Sequence, residues 1–146
     1  MTTVSDVLKS KAHATVHTIA PDATVFEALR LMAQENIGAL LVVEHERIVG
    51  IVTERDYARK VALMARLSRD TPLRDIMSSP VMYVRPNQTS EDCMALMTEN
   101  RLRHLPVLDG GQLIGVVSIG DLVKATISEQ QFTIEQLEHY ISGQRE

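Results

Sequence analysis

Two short segments of the sequence place a hydroxyl and a carboxylate three residues apart at the end of an apolar run. The first pair is Thr53 and Asp56, and the second pair is Ser118 and Asp121. A carboxylate offers two acceptor oxygens, which suits it to take both hydroxyl protons of a ribose cis-diol. An acid in this role also repels a 2′-phosphate, so these residues favour adenosine nucleotides or NAD over NADP.

The same two pairs are also typical of a helix N-terminus. There the hydroxyl caps the helix, and the acid lies near the positive end of the helix dipole. Each apolar run also contains a glycine, Gly50 or Gly115. A glycine within a strand often marks the close approach of a ligand to the backbone. From the residues alone, capping and ligand binding therefore both stay open as interpretations.

The pairs belong to an internal duplication. Residues 21–56 and 86–121 align without a gap at an offset of 65, the distance from Asp56 to Asp121. Nine positions are identical in this alignment, and in the first copy they are Pro21, Thr24, Leu31, Met32, Leu40, Val42, Gly50, Val52 and Asp56. Before the duplicated part, residues 4–7 match residues 73–76 at an offset of 69. Duplication of one supersecondary unit is the simplest explanation.

The periodicity within one copy predicts the elements that position the pair. Thr24 begins a capping box and hence a helix, and the apolar runs 37–43 and 48–52 predict two buried strands joined by a turn at 44–47. From Thr53 the pattern is helical, with Tyr57, Val61 and Met64 on one side. Upstream, Thr3 or Ser5 is expected to cap a short helix, and residues 14–19 are expected to form a strand.

The predicted fold class is therefore α/β (α+β), with two β-α-β-β-α units forming one compact module. The expected domains are residues 4–67 and 73–127. Residues 128–146 form a C-terminal amphipathic helix and tail outside the repeat, with a further capping box starting at Thr133. Such a helix is expected to cover a core or to pack on a second subunit.

Composition excludes several classes of function. A net charge of -4 argues against a general grip on nucleic acid. The single Cys93 forms no internal disulfide, and its place in a helix predicts a small buried side chain. No signal peptide or membrane span is evident, so we expect a soluble cytoplasmic protein. Phosphate-loop, nucleophile-elbow and zinc-protease motifs are absent from the sequence, so an enzyme and a metal site are not expected.

A basic segment precedes the first strand of the second copy. Arg103 and His104 stand directly before a buried run and could present a guanidinium and an imidazole to a phosphate. The alternative is a solvated helix end, which is the interpretation preferred for Arg101. The equivalent residues of the first copy, Gly38 and Ala39, carry no charge, so two unequal sites are expected.

With the duplication and the sequence Arg-His-Leu-Pro-Val before its second strand, the chain resembles a tandem pair of CBS domains of the stand-alone bacterial kind. The resemblance covers residues 4–127. It implies a pseudo-twofold module with two adenosyl-ligand sites, for AMP, ADP, ATP, NAD or S-adenosylmethionine, that usually forms a homodimer. No catalytic cofactor is implied, and NAD, AMP or ATP is the expected ligand.

The resemblance also implies sites that are crossed between the halves. Thr53 and Asp56 would act with Leu102, Arg103 and His104, while Ser118 and Asp121 would act with Ile37, Gly38 and Ala39. The full set of expected ligand-binding residues is Thr53, Arg55, Asp56, Leu102, Arg103, His104, Ile37, Gly38, Ala39, Val116, Ser118, Gly120 and Asp121. Arg55 would add to the charge of the Asp56 site, and Gly120 would leave the Asp121 site roomy.

Three functions remain open at this point. The leading one is a non-enzymatic sensor whose shape responds to a nucleotide and is recognised by an effector protein that the sequence does not name. The second is a structural dimerisation module with empty sites, and the third is a small enzyme acting on a nucleotide. Binding of any adenosyl compound separates the first from the second, and turnover of that compound identifies the third.

Overall fold

The computed structural model describes residues 1–11 and 16–142 and divides the chain into two units. One unit combines Met1–Thr15 with Tyr83–Glu146, and the other is Val16–Met82. We call them the C-terminal unit and the N-terminal unit. Both contain helices and strands, as expected for the α+β class. Within the described ranges no helix is long and apolar enough to cross a membrane.

The N-terminal unit contains the first copy of the repeat. Its elements are β1 (Thr18–Ile19), α2 (Val25–Glu35), β2 (Ala39–Glu44), β3 (Arg47–Thr53), α3 (Glu54–Asp56), a π-helical segment (Tyr57–Ala62) and a 3-10 turn (Leu73–Asp75). The strands form a sheet in the order β1-β2-β3, with β1 parallel and β3 antiparallel to β2. The two predicted buried strands and the turn between them are confirmed.

The C-terminal unit contains the second copy. Its elements are α1 (Val4–Ser10), α4 (Ser90–Asn100), β4 (His104–Asp109), β5 (Gln112–Ser118) and α5 (Ile119–Ser142). Strands β4 and β5 pair antiparallel with the same register as β2 and β3. Val84 forms a single parallel bridge to Val107 where the first copy has β1. The duplicated order of elements is therefore confirmed, although its first strand is reduced to one bridge in the second copy.

Equivalent residues build the two cores. Capping boxes start α2 at Thr24 with Glu27 and α4 at Thr89 with Asp92. Four of the nine identical positions of the repeat are almost fully buried apolar residues in both copies, namely Met32 and Met97, Leu40 and Leu105, Val42 and Val107, and Val52 and Val117. The caps fix where each helix starts, and the buried side chains fix which face of each strand is covered.

The leading segments of the repeats pack on the opposite copy, so each structural unit combines parts of the two expected domains, 4–67 and 73–127. Val4 and Val7 of α1, capped by Thr3 as predicted, are buried in the core of the second copy. Leu73 and Ile76 are buried in the core of the first copy. Each leading segment contributes two apolar side chains, and burying them is the main favourable contribution of so short a segment.

The repeated glycines have a packing role, which is an alternative to the close approach of a ligand. A Cβ atom at Gly50 would lie 2.5 Å from Sδ of Met77, and one at Gly115 would lie 2.6 Å from Cδ2 of Leu8. Both glycines are buried. The close neighbour of each strand is thus a side chain of the same unit, and this packing accounts for a glycine at both positions without a ligand.

The helical periodicity of the sequence gave wrong predictions at two places. Met64, expected on the same side as Tyr57 and Val61, is 63% exposed, whereas Val61 is buried. It follows the π-helical segment, after which the N–H of Leu63 donates to the carbonyl of Ala58. The new helix start at Thr133 is also wrong, since α5 runs unbroken through it and the Thr133 hydroxyl donates to the carbonyl of Glu129. Of the strand expected at residues 14–19, β1 covers Thr18–Ile19, while residues 14 and 15 lie outside the described residues.

Candidate functional site

In the N-terminal unit, the corner between β3 and α3 holds the first hydroxyl and carboxylate pair. The backbone N–H of Thr53 donates to Oδ2 of Asp56 at 2.9 Å, and its hydroxyl donates to the same oxygen at 3.2 Å. The N–H of Asp56 donates back to the Thr53 hydroxyl at 3.1 Å. The capping interpretation is therefore confirmed, and these bonds fix the carboxylate at the end of the strand.

In the C-terminal unit, Ser118 and Asp121 repeat this geometry where β5 meets α5. The N–H of Ser118 donates to Oδ2 of Asp121 at 2.9 Å, and the N–H of Asp121 donates to the Ser118 hydroxyl at 3.1 Å. Both aspartates are half-buried. Capping does not exclude ligand binding, because a carboxylate has more acceptor positions than a capping box uses.

Each aspartate also forms an ion pair with a lysine that the sequence interpretation missed. Nζ of Lys60 lies 3.2 Å from Oδ1 of Asp56 and donates to the carbonyl of Ile76 at 2.9 Å. Nζ of Lys11 lies 2.9 Å from Oδ2 of Asp121. Lys60 could have been found from its i, i+4 spacing to the aspartate. Lys11 could not, because it is remote from Asp121 in the sequence.

Lys11 is anchored on two groups of the second motif. Besides the ion pair with Asp121, its ammonium donates to the carbonyl of Val116 at 2.7 Å. Its side chain is only 27% exposed. A cation held in this way fixes the position of the carboxylate and contributes a positive charge where a phosphate could be bound.

The two carboxylates differ in the acceptor positions that remain. Oδ2 of Asp56 accepts two hydrogen bonds, and its Oδ1 faces Lys60. Asp121 uses only Oδ2, for Ser118 and Lys11, and among residues 1–11 and 16–142 no hydrogen bond reaches its Oδ1. Each carboxylate oxygen can accept two hydrogen bonds. Asp121 can therefore accept both protons of a diol as it stands, whereas Asp56 needs Lys60 to move.

The protonation of Asp121 reflects these contacts. Partial burial raises the pKa of the carboxyl, but the hydrogen bond and charge of Lys11 together with the Ser118 N–H outweigh it. The pKa of Asp121 therefore lies below its ordinary value of 3.8. The carboxylate stays charged at neutral pH, as an acceptor of two hydroxyl protons must.

Lys11→Gln is expected to lower the free energy of unfolding at pH 7 by about 1 kcal/mol, the scale of a partly buried ion pair. A native pKa below the unfolded one stabilises the fold above the unfolded pKa, and this contribution is lost as the pH falls through the native pKa. The difference in unfolding free energy between wild type and variant should therefore become smaller as the pH falls below 3.8. Urea unfolding at several pH values measures it.

Lys9→Gln is the matched control, since it removes an exposed cation of α1 whose charge acts on Asp6. It should change the unfolding free energy by no more than about 0.5 kcal/mol. An equal loss in both variants, or a difference for Lys11→Gln that does not depend on pH, would contradict the role given to Lys11.

A cavity of about 560 Å³ borders Asp121 within the C-terminal unit. Its lining residues come from the N-terminal segment and from α5: Thr2, Asp6, Val7, Ser10, Lys11, Asp121, Lys124, Ala125, Ser128, Glu129 and Phe132. Its volume lies in the range of small-molecule sites. Asp121 alone of the expected site residues lines it, so the cavity adjoins the predicted site on one side.

The first strand of each hairpin begins beside the motif of the same unit. Ala39 pairs with Thr53, and the N–H of Glu54 donates to the carbonyl of Gly38 at 3.1 Å. His104 pairs with Ser118 in the same register.

The second unit repeats the contact at its basic segment. The N–H of Ile119 donates to the carbonyl of Arg103 at 2.9 Å. The structure thus brings Arg103 and His104 to the motif that contains Asp121. The expected grouping across the two halves joins residues of different units and stays a prediction.

The remaining expected residues lie around these corners. Ile37 and Leu102 are half-buried and pack on the core of their own unit. Val116 is half-buried in β5, while Arg55 and Gly120 are exposed in the first helical turn, between the hydroxyl and the carboxylate of each motif.

Cys93 is buried in α4, as expected from its position in the repeat. Burial, with a smaller effect of the Asp92 charge, raises the pKa of its thiol to about 11. It is therefore a protonated thiol at neutral pH, which is a poor nucleophile.

Comparison with known proteins agrees with this architecture. The sequence profile of the CBS domain matches residues 3–63 and 73–128. The chain is 41% identical to the mitochondrial CBS domain-containing protein CBSX3 of Arabidopsis thaliana, over 97% of this chain and 73% of that protein. It is 35% identical to the CBS domain-containing protein YhcV of Bacillus subtilis, over 89% of each.

Solved structures show the same fold. A CBS-domain protein from Burkholderia ambifaria superposes with a TM-score of 0.85 at 57% identity, over 91% of this chain and 99% of that one. The CBS domain pair of protein MJ0100, solved with 5′-methylthioadenosine and S-adenosyl-L-methionine, has a TM-score of 0.76 at 24% identity, over 88% of this chain and 98% of that one. With the profile matched in both copies of the repeat, the chain belongs to the CBS domain family and contains two CBS domains in tandem.

Proposed function

We propose that this protein is a non-enzymatic regulatory module that binds adenosyl ligands, with AMP, ATP or NAD as the ligands to test first. The observation that supports this most is the duplicated corner at which a strand ends and a fixed carboxylate begins a helix. At Asp121 this carboxylate keeps one oxygen able to accept both protons of a ribose diol. The adenosyl compounds bound to the CBS pair of MJ0100 support the choice of ligand class.

Binding regulates a partner only if the ligand prefers one of two shapes of the module. The aspartates hold the ribose in this proposal, and neighbouring hydroxyls and cations hold phosphate. The chain acts as a homodimer whose shape an effector protein recognises. No residue of the proposed sites has a catalytic role.

We further propose that each site is built around one motif from residues of its own unit. Ile37, Gly38, Ala39 and Arg55 then serve the site of Thr53 and Asp56. Leu102, Arg103, His104, Val116 and Gly120 serve the site of Ser118 and Asp121. The pairing of His104 with Ser118 and the bond between Ile119 and Arg103 support this grouping. The crossed grouping is the alternative.

Calorimetric titration of the purified protein with AMP, ATP, NAD and S-adenosylmethionine tests the function. We expect two binding events of unequal affinity for at least one of these ligands and no conversion of the ligand on long incubation. A module with a purely structural role shows no binding of any adenosyl compound. A chemically changed ligand indicates an enzyme instead.

Arg103→Ala distinguishes the two groupings when it is made in proteins that keep one site. In an Asp56→Asn background only the Asp121 site binds, and Arg103→Ala should lower its affinity for ATP by about 10-fold, because a charged contact to phosphate is worth about 1.5 kcal/mol. The dependence of the affinity on salt should also weaken. In an Asp121→Asn background, Arg103→Ala should leave the affinity unchanged.

The exposed Arg101, two residues away, supplies the matched control as Arg101→Gln. It removes a charge of the same sign and should have no more than a small effect in either background. A loss of affinity confined to the Asp121→Asn background would instead support the crossed grouping.

A further inference from the structure

The C-terminal half of α5 has apolar side chains but no core to bury them. Every residue of 130–141 is exposed. An isolated helix of this length is marginal in water, since helices in proteins gain most of their stability from packing of an apolar face. This segment therefore needs a complementary surface to bury its apolar face.

The apolar residues of α5 follow a heptad repeat. Ile127, Ile134 and Ile141 are spaced by seven residues, and Val123, Gln130 and Leu137 occupy the second seam position of the same heptads. The five apolar members are between 46% and 82% exposed. A continuous a and d seam of this kind fits another helix better than it fits a flat surface.

The charges beside the seam indicate the direction of the partner helix. Lys124 and Glu138 occupy the same heptad position, e, seven residues on either side of Gln131. In an antiparallel pair of identical helices centred near Gln131, position e faces position e of the partner, so Lys124 of each copy meets Glu138 of the other. In a parallel pair, position e faces position g, where Thr126 and Thr133 are uncharged.

The seam is self-complementary in the same register. In the antiparallel pair Ile127 faces Leu137 of the second copy, and Ile141 faces Val123. The two central layers pair Gln130 with Ile134, and a polar residue in one layer is a known means of setting register. Two identical surfaces that satisfy each other form an isologous interface.

We propose that residues 123–141 of α5 form an antiparallel helix pair with the same segment of a second copy of this chain. The helix pair is independent of the ligand proposed above. It also gives a position for the long C-terminal helix, which has no equivalent in the first copy of the repeat.

A cysteine crosslinking experiment on the full chain tests both the partner and the direction. In the antiparallel pair Gln131 of one chain lies close to Gln131 of the other, whereas the two Glu138 residues are two heptads apart, about 21 Å along the axis. In a parallel pair the two residues at position 131 are as far apart as the two residues at position 138. The native Cys93 is buried and has a thiol pKa of about 11, so it competes little for a maleimide reagent.

With a short bismaleimide at low protein concentration, Gln131→Cys should give a covalent dimer in high yield and Glu138→Cys should give almost none. Adding Lys124→Glu to Gln131→Cys should lower the yield several-fold. Adding Glu138→Lys as well should restore it, because the charges are then exchanged rather than removed. Equal yields at positions 131 and 138, no dimer at position 131, or no recovery in the exchanged variant would overturn the proposal.

Discussion

Asp121→Asn is expected to lower the affinity of the Asp121 site for AMP by about 100-fold, equivalent to about 2.7 kcal/mol. The asparagine side chain has nearly the same shape, and its carbonyl oxygen can still accept the N–H of Ser118. It lacks the negative charge and the second acceptor oxygen that the diol requires. The charge of Lys11, now without its partner, adds no attraction for the hydroxyl groups.

A deoxyribose analogue shows whether the loss arises at the diol. In wild type, 2′-deoxy-AMP should bind more weakly than AMP at this site, and in Asp121→Asn the two ligands should bind alike. A coupling of this kind identifies a direct interaction, since independent effects simply add. Titration calorimetry of the four combinations measures it.

Asp109→Asn is the control, because it makes the same chemical change at an exposed position at the end of β4. It should leave both affinities unchanged. Asp56→Asn should act in the same way as Asp121→Asn on the other site. The aspartates would not be the ribose ligands if either variant lowered the affinity of both sites equally. The same conclusion would follow if replacing AMP by 2′-deoxy-AMP lowered the affinity by the same factor in wild type and variant.

Gly115→Val is expected to destabilise the protein by about 3 kcal/mol, at the upper end of the cost of overpacking a core. Even a single Cβ atom at this position would lie 2.6 Å from Cδ2 and 3.1 Å from Cδ1 of Leu8. The two further methyl groups of valine add to this contact with α1, which packs on this strand. Gly50→Val should behave alike, since Met77 occupies the same place over β3.

Urea unfolding followed by circular dichroism measures the effect, and a second substitution assigns its cause. Leu8→Ala removes the side chain that meets the new methyl groups, so Leu8→Ala with Gly115→Val should cost less than the sum of the single changes by about 1 kcal/mol or more. Gln112→Val, an exposed position of the same strand, should have little effect. If the two single effects simply added, Leu8 would not be the residue that requires glycine here.

Much of the fold follows from local patterns in the sequence. The capping boxes at Thr3, Thr24 and Thr89 define where helices begin, because hydroxyl and carboxylate satisfy backbone groups within one turn. The apolar runs that form β2, β3, β4 and β5 need no tertiary information either. The duplication by itself shows that Asp56 and Asp121 occupy equivalent positions.

Local patterns do not reveal what packs on these elements. The sequence leaves the approach of a ligand open as one explanation for Gly50 and Gly115, whereas in the structure a side chain distant in the sequence lies against each of them. Met64 and Thr133 obey helical patterns that the π-helical segment and the continuous α5 override. Periodicity reports which face of an element is apolar, but it does not report which neighbour covers that face.

The sequence by itself determined the two carboxylate corners, their equivalence and the elements that present them, because these depend on interactions within a few residues. Only the tertiary structure decided that Lys11 lies on Asp121 and that the leading segments pack on the opposite copies. Lys11 and Asp121 are more than 100 residues apart. A contact of that range exists only once the chain has folded, so no local pattern can encode it.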